Sequence, residues 1–300
     1  MNIKYEKINI YDKINVYRNA LKDTDTALKM FQRLENSDTK IHSIPPMTKW
    51  FDSGEVTGYI GPFPPVFEFE DEDSFIQRKA INDIFNVYRD VFQDYMQEYA
   101  GKEGWPDYMT NFNYNDRSVW AETDSISFLK YDTNDWEYNP ELGNHKLPMH
   151  FHHDTADDLI DAPGRKLAIT ITIYLNDDYE GGEVVFVDTK NKKSYSYKPK
   201  AGDVTVFPSG SPYLHGVFPQ KKNKRYLARM FYFYEYEGSD WWLEKKKQDL
   251  DGSWSKEWKQ KYEMYYKHPP TYNVMFPGQI PDNNPESRHI YLDEFPKEIK

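Results

Sequence analysis

The stretch Leu167-Ala168-Ile169-Thr170-Ile171-Thr172-Ile173-Tyr174-Leu175 decides the fold. Apolar residues fill the odd positions, and Ala, Thr, Thr and Tyr fill the even ones. A side-chain period of two belongs to a β-strand, so this is a strand with two unlike faces. The apolar face packs, and the face with two threonines and a tyrosine is polar enough to line a pocket. The same pattern repeats outward from it. Asn176-Asp177-Asp178 and Gly181-Gly182 are turns, Val184 to Val187 is a strand, and Tyr195 and Tyr197 mark another. Ala201-Gly202-Asp203 turns into Val204 to Phe207, which Pro208 stops, and Arg225 to Tyr236 is a long strand. Upstream, Ser125 to Tyr131 alternates as well. Many short strands with turns at regular intervals predict a mainly β protein with flanking helices. Its core is expected to be a double-stranded β-helix, or jelly roll, over about residues 125–236.

The flanks read differently. Residues 3–21 form a strand entering a turn. Asp23 or Thr24 caps a helix through about Glu35, with Ala27, Leu28, Phe31 and Leu34 on one face. Ser74 caps a longer helix, in which Ile81, Ile84, Phe85, Tyr88, Phe92, Tyr95, Met96 and Tyr99 recur at three- and four-residue spacing. Gly101 ends it. Residues 38–70 and 132–147 are loop-like, rich in Pro, Gly and polar residues. Helix returns after Ser239, and the last thirty residues read as a wrapping tail. With no repeat and no long linker, residues 1–300 are expected to be one domain. It has helical support at 1–124 and an aromatic helical extension at 237–300.

Composition narrows the function. The 300 residues carry a net charge of −11, which argues against nucleic acid as a partner, since phosphate binding wants excess Lys and Arg. There is no Cys, so disulfides and thiolate-bound metals are excluded. Any metal must be held by His and carboxylate. The start has no apolar run of signal-peptide type, and no segment approaches the roughly 20 apolar residues that span a bilayer. A soluble, cytoplasmic protein without a membrane partner is expected. The oligomeric state is not legible.

The chain has eight His, three of them within His150-Phe151-His152-His153-Asp154. On an extended strand His150, His152 and Asp154 share a face. Two imidazoles and one carboxylate on one side of a metal, with the opposite positions open, make the facial triad of non-haem Fe(II) oxygenases. His152 and Asp154 are candidates for two ligands, and His215 for the third. A His cluster can also be solvated surface or a hydrogen-bonded loop. A zinc site is a further alternative for two His and one carboxylate, and a non-catalytic jelly-roll binding protein is another.

An ordered set of short motifs then comes into view. His152-x-Asp154 is followed by Tyr174-Leu175-Asn176, Gly181-Gly182-Glu183, Ala201-Gly202-Asp203 leading to Phe207, His215-Gly216-Val217, and Arg225-Tyr226. Over about residues 125–236 the chain resembles the prolyl 4-hydroxylase-like branch of the Fe(II)/2-oxoglutarate dioxygenases. The resemblance implies Fe(II) held by His152, Asp154 and His215, with 2-oxoglutarate and O₂ as co-substrates and an ascorbate requirement. It implies hydroxylation of an unactivated C–H with release of succinate and CO₂. The leading substrate would be a prolyl residue in a peptide or protein, followed by a free amino acid or small metabolite.

The co-substrate is a dianion whose far carboxylate needs a cation. Arg225 offers a bidentate fork ten residues after His215. By the resemblance Tyr174 adds a hydroxyl donor, and Tyr131 matches the tyrosine that precedes the His-x-Asp strand. Its distance from His152, 21 residues, is about twice what the family's pattern implies, and Met149 stands where many relatives have Tyr. Both departures fall near the substrate mouth. Arg229 has the parity of Arg225 and can meet a substrate carboxylate, the co-substrate or an internal acid. His150 either orients a ligand or substrate or is surface.

Overall fold

The computed structural model describes residues 5–36, 48–52, 56–60, 72–99, 119–123, 126–131, 149–154, 165–210, 212–236, 272–278 and 288–300. In chain order the elements begin β1 (Glu6–Tyr11), β2 (Ile14–Arg18), α1 (Thr24–Asn36), β3 (Thr48–Asp52), β4 (Val56–Ile60) and α2 (Glu72–Tyr99). Next come β5 (Val119–Thr123), β6 (Ser127–Tyr131), β7 (Met149–His152), β8 (Arg165–Tyr174), β9 (Glu180–Gly181) and β10 (Val184–Asp188). Then follow β11 (Lys193–Tyr197), β12 (Val204–Pro208), β13 (Tyr213–Val217), β14 (Gln220–Lys222) and β15 (Arg225–Tyr236). The tail adds β16 (Tyr272–Met275), β17 (Arg288–Tyr291) and β18 (Lys297–Ile299).

Among the described residues these strands make two large sheets. The first runs β1-β2-β12-β8-β15-β6-β4-β3, with β5 also on β15. The second runs β17-β16-β7-β13-β10-β11-β18. Alternation places the residues. Ile169, Ile171 and Ile173 of β8 join Ala228 and Met230 of β15 in a buried cluster with Phe31 of α1 and with Ile84, Tyr88 and Phe92 of α2. Phe92 stacks on Tyr232 with ring centroids 3.8 Å apart. The opposite faces meet between the sheets, where Tyr174, Leu129, Tyr131, Leu227 and Phe207 pack with Val184, Phe186 and Tyr197. A third cluster, with Phe151, Val185, Leu214 and Val274, covers the outside of the second sheet. Helices, sheet, sheet and tail thus form successive layers, and the jelly roll expected from the strand pattern is present.

Several local signals work as expected. Asp23 is the cap of α1: its carboxylate accepts from the Thr26 N–H at 3.1 Å. The Gly202 turn is obligatory, with φ +83° and a backbone so close that an added Cβ would lie 2.4 Å from the Leu21 carbonyl oxygen. Beside it, buried Asp203 accepts from Arg18 at 2.6 Å and from the Asn19 N–H at 3.0 Å. This pins the first hairpin to the turn before β12.

Other expectations need correction. Ser74 lies inside α2 rather than capping it. The support at 1–124 is not only helical, since β1 to β5 all join the first sheet. Within 38–70, which reads as loop, β3 and β4 pair with each other and β4 pairs with β6. These strands are short and interrupted, so their state is set by the distant partner rather than by their own pattern. The tail is strand as well as wrap. Tyr272 pairs with Phe151, and Tyr195 pairs with Lys297 in parallel, so the tail extends both ends of the second sheet. The loop at 132–147 and the expected helices within 237–271 lie outside the described residues. Among the described residues no helix is long and apolar enough to cross a membrane.

Candidate active site

The site grows from the pairing of β7 with β13. His152 and His215 sit opposite one another in register, with ring centroids 4.5 Å apart. Phe151 goes to the outer cluster and His152 to the interior, as strand parity requires. Asp154 was expected on the same strand, but β7 ends at His152 and the chain bends before Asp154. The bend still delivers the carboxylate between the imidazoles. Its Oδ1 lies 3.5 Å from His152 Nε2 and its Oδ2 lies 3.6 Å from His215 Nε2. One donor atom from each of the three lies within 4.8 Å of the others. Two imidazole nitrogens and a carboxylate oxygen this close fit one divalent first-row ion such as Fe(II).

The protonation states suit a metal. Burial pushes the His215 imidazole down to about 4 despite the pull of Asp154, so it is neutral with a free lone pair near pH 7. Burial works the other way on Asp154. There His215, His152 and the Arg229 guanidinium outweigh it and hold the carboxyl well below the usual carboxylate range. Metal ligands must be deprotonated, and these two already are. His215 Nδ1 is 3.2 Å from the Tyr213 carbonyl, which as acceptor fixes the tautomer and leaves Nε2 for a metal.

Two residues not assigned from the sequence support the carboxylate, Thr170 directly and Ser209 through Thr170. Thr170 donates to Asp154 Oδ2 at 2.6 Å and lies 2.8 Å from the Ser209 hydroxyl. The signal for Thr170 was its place on the polar face of β8. Ser209 follows a proline and gave no signal of its own.

The anion end lies further along the same strands. Arg225 pairs with Tyr131 across β15 and β6, and Leu227 pairs with Tyr174 across β15 and β8. Arg225 is 1% exposed. Its Nη1 donates to the Gly182 carbonyl at 2.6 Å, and its guanidinium lies 4.1 Å from the Tyr131 ring centroid. Its Nε is buried without a hydrogen bond. Among the described residues Arg225 has no carboxylate partner. Tyr174 is buried in the same cluster, and burial raises its hydroxyl to about 12 despite Arg225, so it is a neutral donor. Asn176 fastens this end by bonding the Lys224 carbonyl at 2.7 Å and the Tyr226 N–H at 2.8 Å. The structure therefore gathers all seven expected residues, His152, Asp154, His215, Arg225, Tyr174, Tyr131 and Arg229, into one interior. His153 points away, edge-on to Tyr272 at 5.2 Å. The side chain of His150 lies outside the described residues.

A jelly roll holding a three-donor metal group and a buried guanidinium defines a class: a metal site with an anion pocket behind it. The particular family follows from the sequence. Residues 138–233 match the 2OG-Fe(II) oxygenase superfamily, so the chain carries a 2OG-Fe(II) oxygenase domain. Over 61 residues it is 39% identical to prolyl 3-hydroxylase 2 of Homo sapiens, covering 20% of this chain and 9% of that protein. Over 74 residues it is 42% identical to a PKHD-type hydroxylase of Saccharophagus degradans, covering 24% of this chain and 30% of that protein. The match thus spans less than a third of either curated relative. Among solved structures, it is similar to a Trichoplax adhaerens prolyl hydroxylase in complex with a hypoxia inducible factor oxygen degradation domain peptide fragment. That similarity has a TM-score of 0.44 and 15% identity, covering 74% of this chain and 83% of the other.

Proposed function

We propose that this protein is an Fe(II)- and 2-oxoglutarate-dependent dioxygenase that hydroxylates an unactivated C–H of a prolyl group, the group in the name of the similar prolyl 3-hydroxylase 2. The observation that carries the reading is Arg225. A buried guanidinium with no carboxylate partner among the described residues is costly unless a ligand supplies the anion. The far carboxylate of 2-oxoglutarate is such an anion, behind a group fit for Fe(II).

In this reading His152, Asp154 and His215 would hold the Fe(II), with 2-oxoglutarate and O₂ as co-substrates. Together these supply the oxidising power, giving succinate, CO₂ and one oxygen atom inserted into the substrate C–H. The chain's own residues bind and orient. Arg225 and Tyr174 fix the co-substrate's far carboxylate by charge-assisted hydrogen bonds. Thr170 locks the Asp154 rotamer and leaves Oδ1 for the metal. Tyr131 covers the face of the Arg225 guanidinium and keeps water from it.

The test is an anaerobic titration of metal-free protein with Fe(II) and then 2-oxoglutarate, watching for the visible charge-transfer band of the chelate. The band should appear in the wild type and vanish in Asp154→Ala. Arg225→Ala should keep Fe(II) and lose 2-oxoglutarate affinity. A folded wild-type protein that binds Fe(II) yet shows no band overturns the assignment.

A further inference from the structure

Arg229 is a second interior cation that the scheme above does not use. It lies on the Arg225 face of β15, opposite Ser127 and Thr172 in register. Its side chain is 12% exposed. Nη1 lies 4.0 Å from Asp154 Oδ1, an ion-pair distance beyond hydrogen-bond reach. Nε is buried and hydrogen-bonded to nothing. The guanidinium plane is held 4.4 Å from the ring centroid of Phe231. Among the described residues no hydrogen bond reaches this five-donor group.

Two simple explanations account poorly for it. A counter-charge serving Asp154 alone would close to the 2.7–2.9 Å of a charge-assisted pair, roughly. Here the distance is longer, and Asp154 Oδ2 accepts a hydrogen bond from Thr170. Nor does 2-oxoglutarate need it. In the proposed function one carboxylate goes to the metal and the other to Arg225. Arg229 lies four residue steps along the strand from Arg225, about 13 Å along the backbone, and is at the level of the metal group. What remains is a fixed, partly desolvated fork beside the reacting position, with hydrogen bonds to give.

We infer that Arg229 anchors the carboxylate of the substrate itself, so that the substrate is a free amino acid rather than a residue inside a peptide. An internal residue has spent its carboxyl in an amide and cannot satisfy a guanidinium with a bidentate pair. The inference rests on the proposed function and narrows it: within the prolyl class it selects proline with a free carboxylate over peptidyl proline.

The test uses the anaerobic Fe(II)–2-oxoglutarate complex. Its charge-transfer band is followed while the free L-amino acids, proline included, and their C-terminal amides are added one at a time. At least one free acid should shift the band, and its amide should not. Arg229→Gln should weaken that acid at least tenfold while Fe(II) stoichiometry and 2-oxoglutarate affinity stay within twofold, and Arg229→Lys should recover part of the loss. The inference is overturned if acid and amide act alike, or if no free acid shifts the band. It is also overturned if Arg229→Gln mainly loses 2-oxoglutarate or iron, which would assign the residue to the co-substrate or to Asp154. A wild type with no band at all brings down the oxygenase assignment as well, so the two failures are distinguishable.

Discussion

The two faces of β8 and β15 come from alternate residues of the same strands and do opposite work. Toward α1 and α2, Ile169, Ile171, Ile173, Ala228 and Met230 are buried against apolar and aromatic side chains. Toward the second sheet, the same strands turn Thr170 and Arg229 inward beside Asp154 and Arg225 inward at the anion end. The first face stabilises by removing apolar surface from water. The second keeps Arg225, which has no carboxylate partner among the described residues, and so opposes stability until a ligand arrives. One sheet can hold both because the helix face carries the packing.

Four substitutions test whether the two faces are independent. On the helix face, Ile171→Ala should lower unfolding stability by about 2–5 kcal/mol in urea while leaving Fe(II) and 2-oxoglutarate affinity near wild type. A large change in affinity would show that the faces are not independent. On the inner face, Arg225→Met should reduce 2-oxoglutarate affinity by about 100-fold, equivalent to about 2.7 kcal/mol, yet leave the urea midpoint unchanged or raised. A sharp loss of stability would make Arg225 a structural residue.

Thr170→Val removes the hydrogen bond to Asp154 while keeping the shape. Fe(II) affinity, measured by competition with a chelator, should fall by about 10- to 100-fold. Unaltered affinity would mean that Asp154 needs no help to hold its rotamer. The smallest effect belongs to the cap of α1, far from the site. Asp23→Ala should cost about 1 kcal/mol at neutral pH. Lys79 and the Thr26 bonds hold the Asp23 carboxyl down to about 2. Its stabilising contribution is therefore complete above the unfolded pKa near 4 and is lost as pH falls through about 2. The wild-type advantage over Asp23→Ala should shrink over that window, and a constant difference would deny the cap its charge.

Legibility followed the range of the cause. The Asp23 cap, the period of β8, the Gly202 turn and the stripe of α2 are local, and each was readable from its own residues. The parity of β15 put Arg225, Leu227 and Arg229 on one face before any tertiary contact was known. Pairing that depends on a distant segment was not readable. The β3–β4 hairpin looks like loop because its strand character comes from β6, and the tail strands take theirs from β7 and β11. Asp154 gives the same lesson in the site. Strand parity placed it correctly for the wrong local reason, since the strand stops at His152 and a bend completes the approach.

A jelly roll without thiol chemistry and an ordered His-x-Asp, His and Arg set were legible in the amino-acid sequence alone, because period and residue type are properties of short segments. That Thr170 holds Asp154, that Arg225 is buried without a carboxylate partner among the described residues, and that Arg229 stands beside the metal group with donors to spare emerged only from the folded chain. Those facts depend on which atoms lie within a few ångströms, and that is fixed when two sheets close over a shared interior.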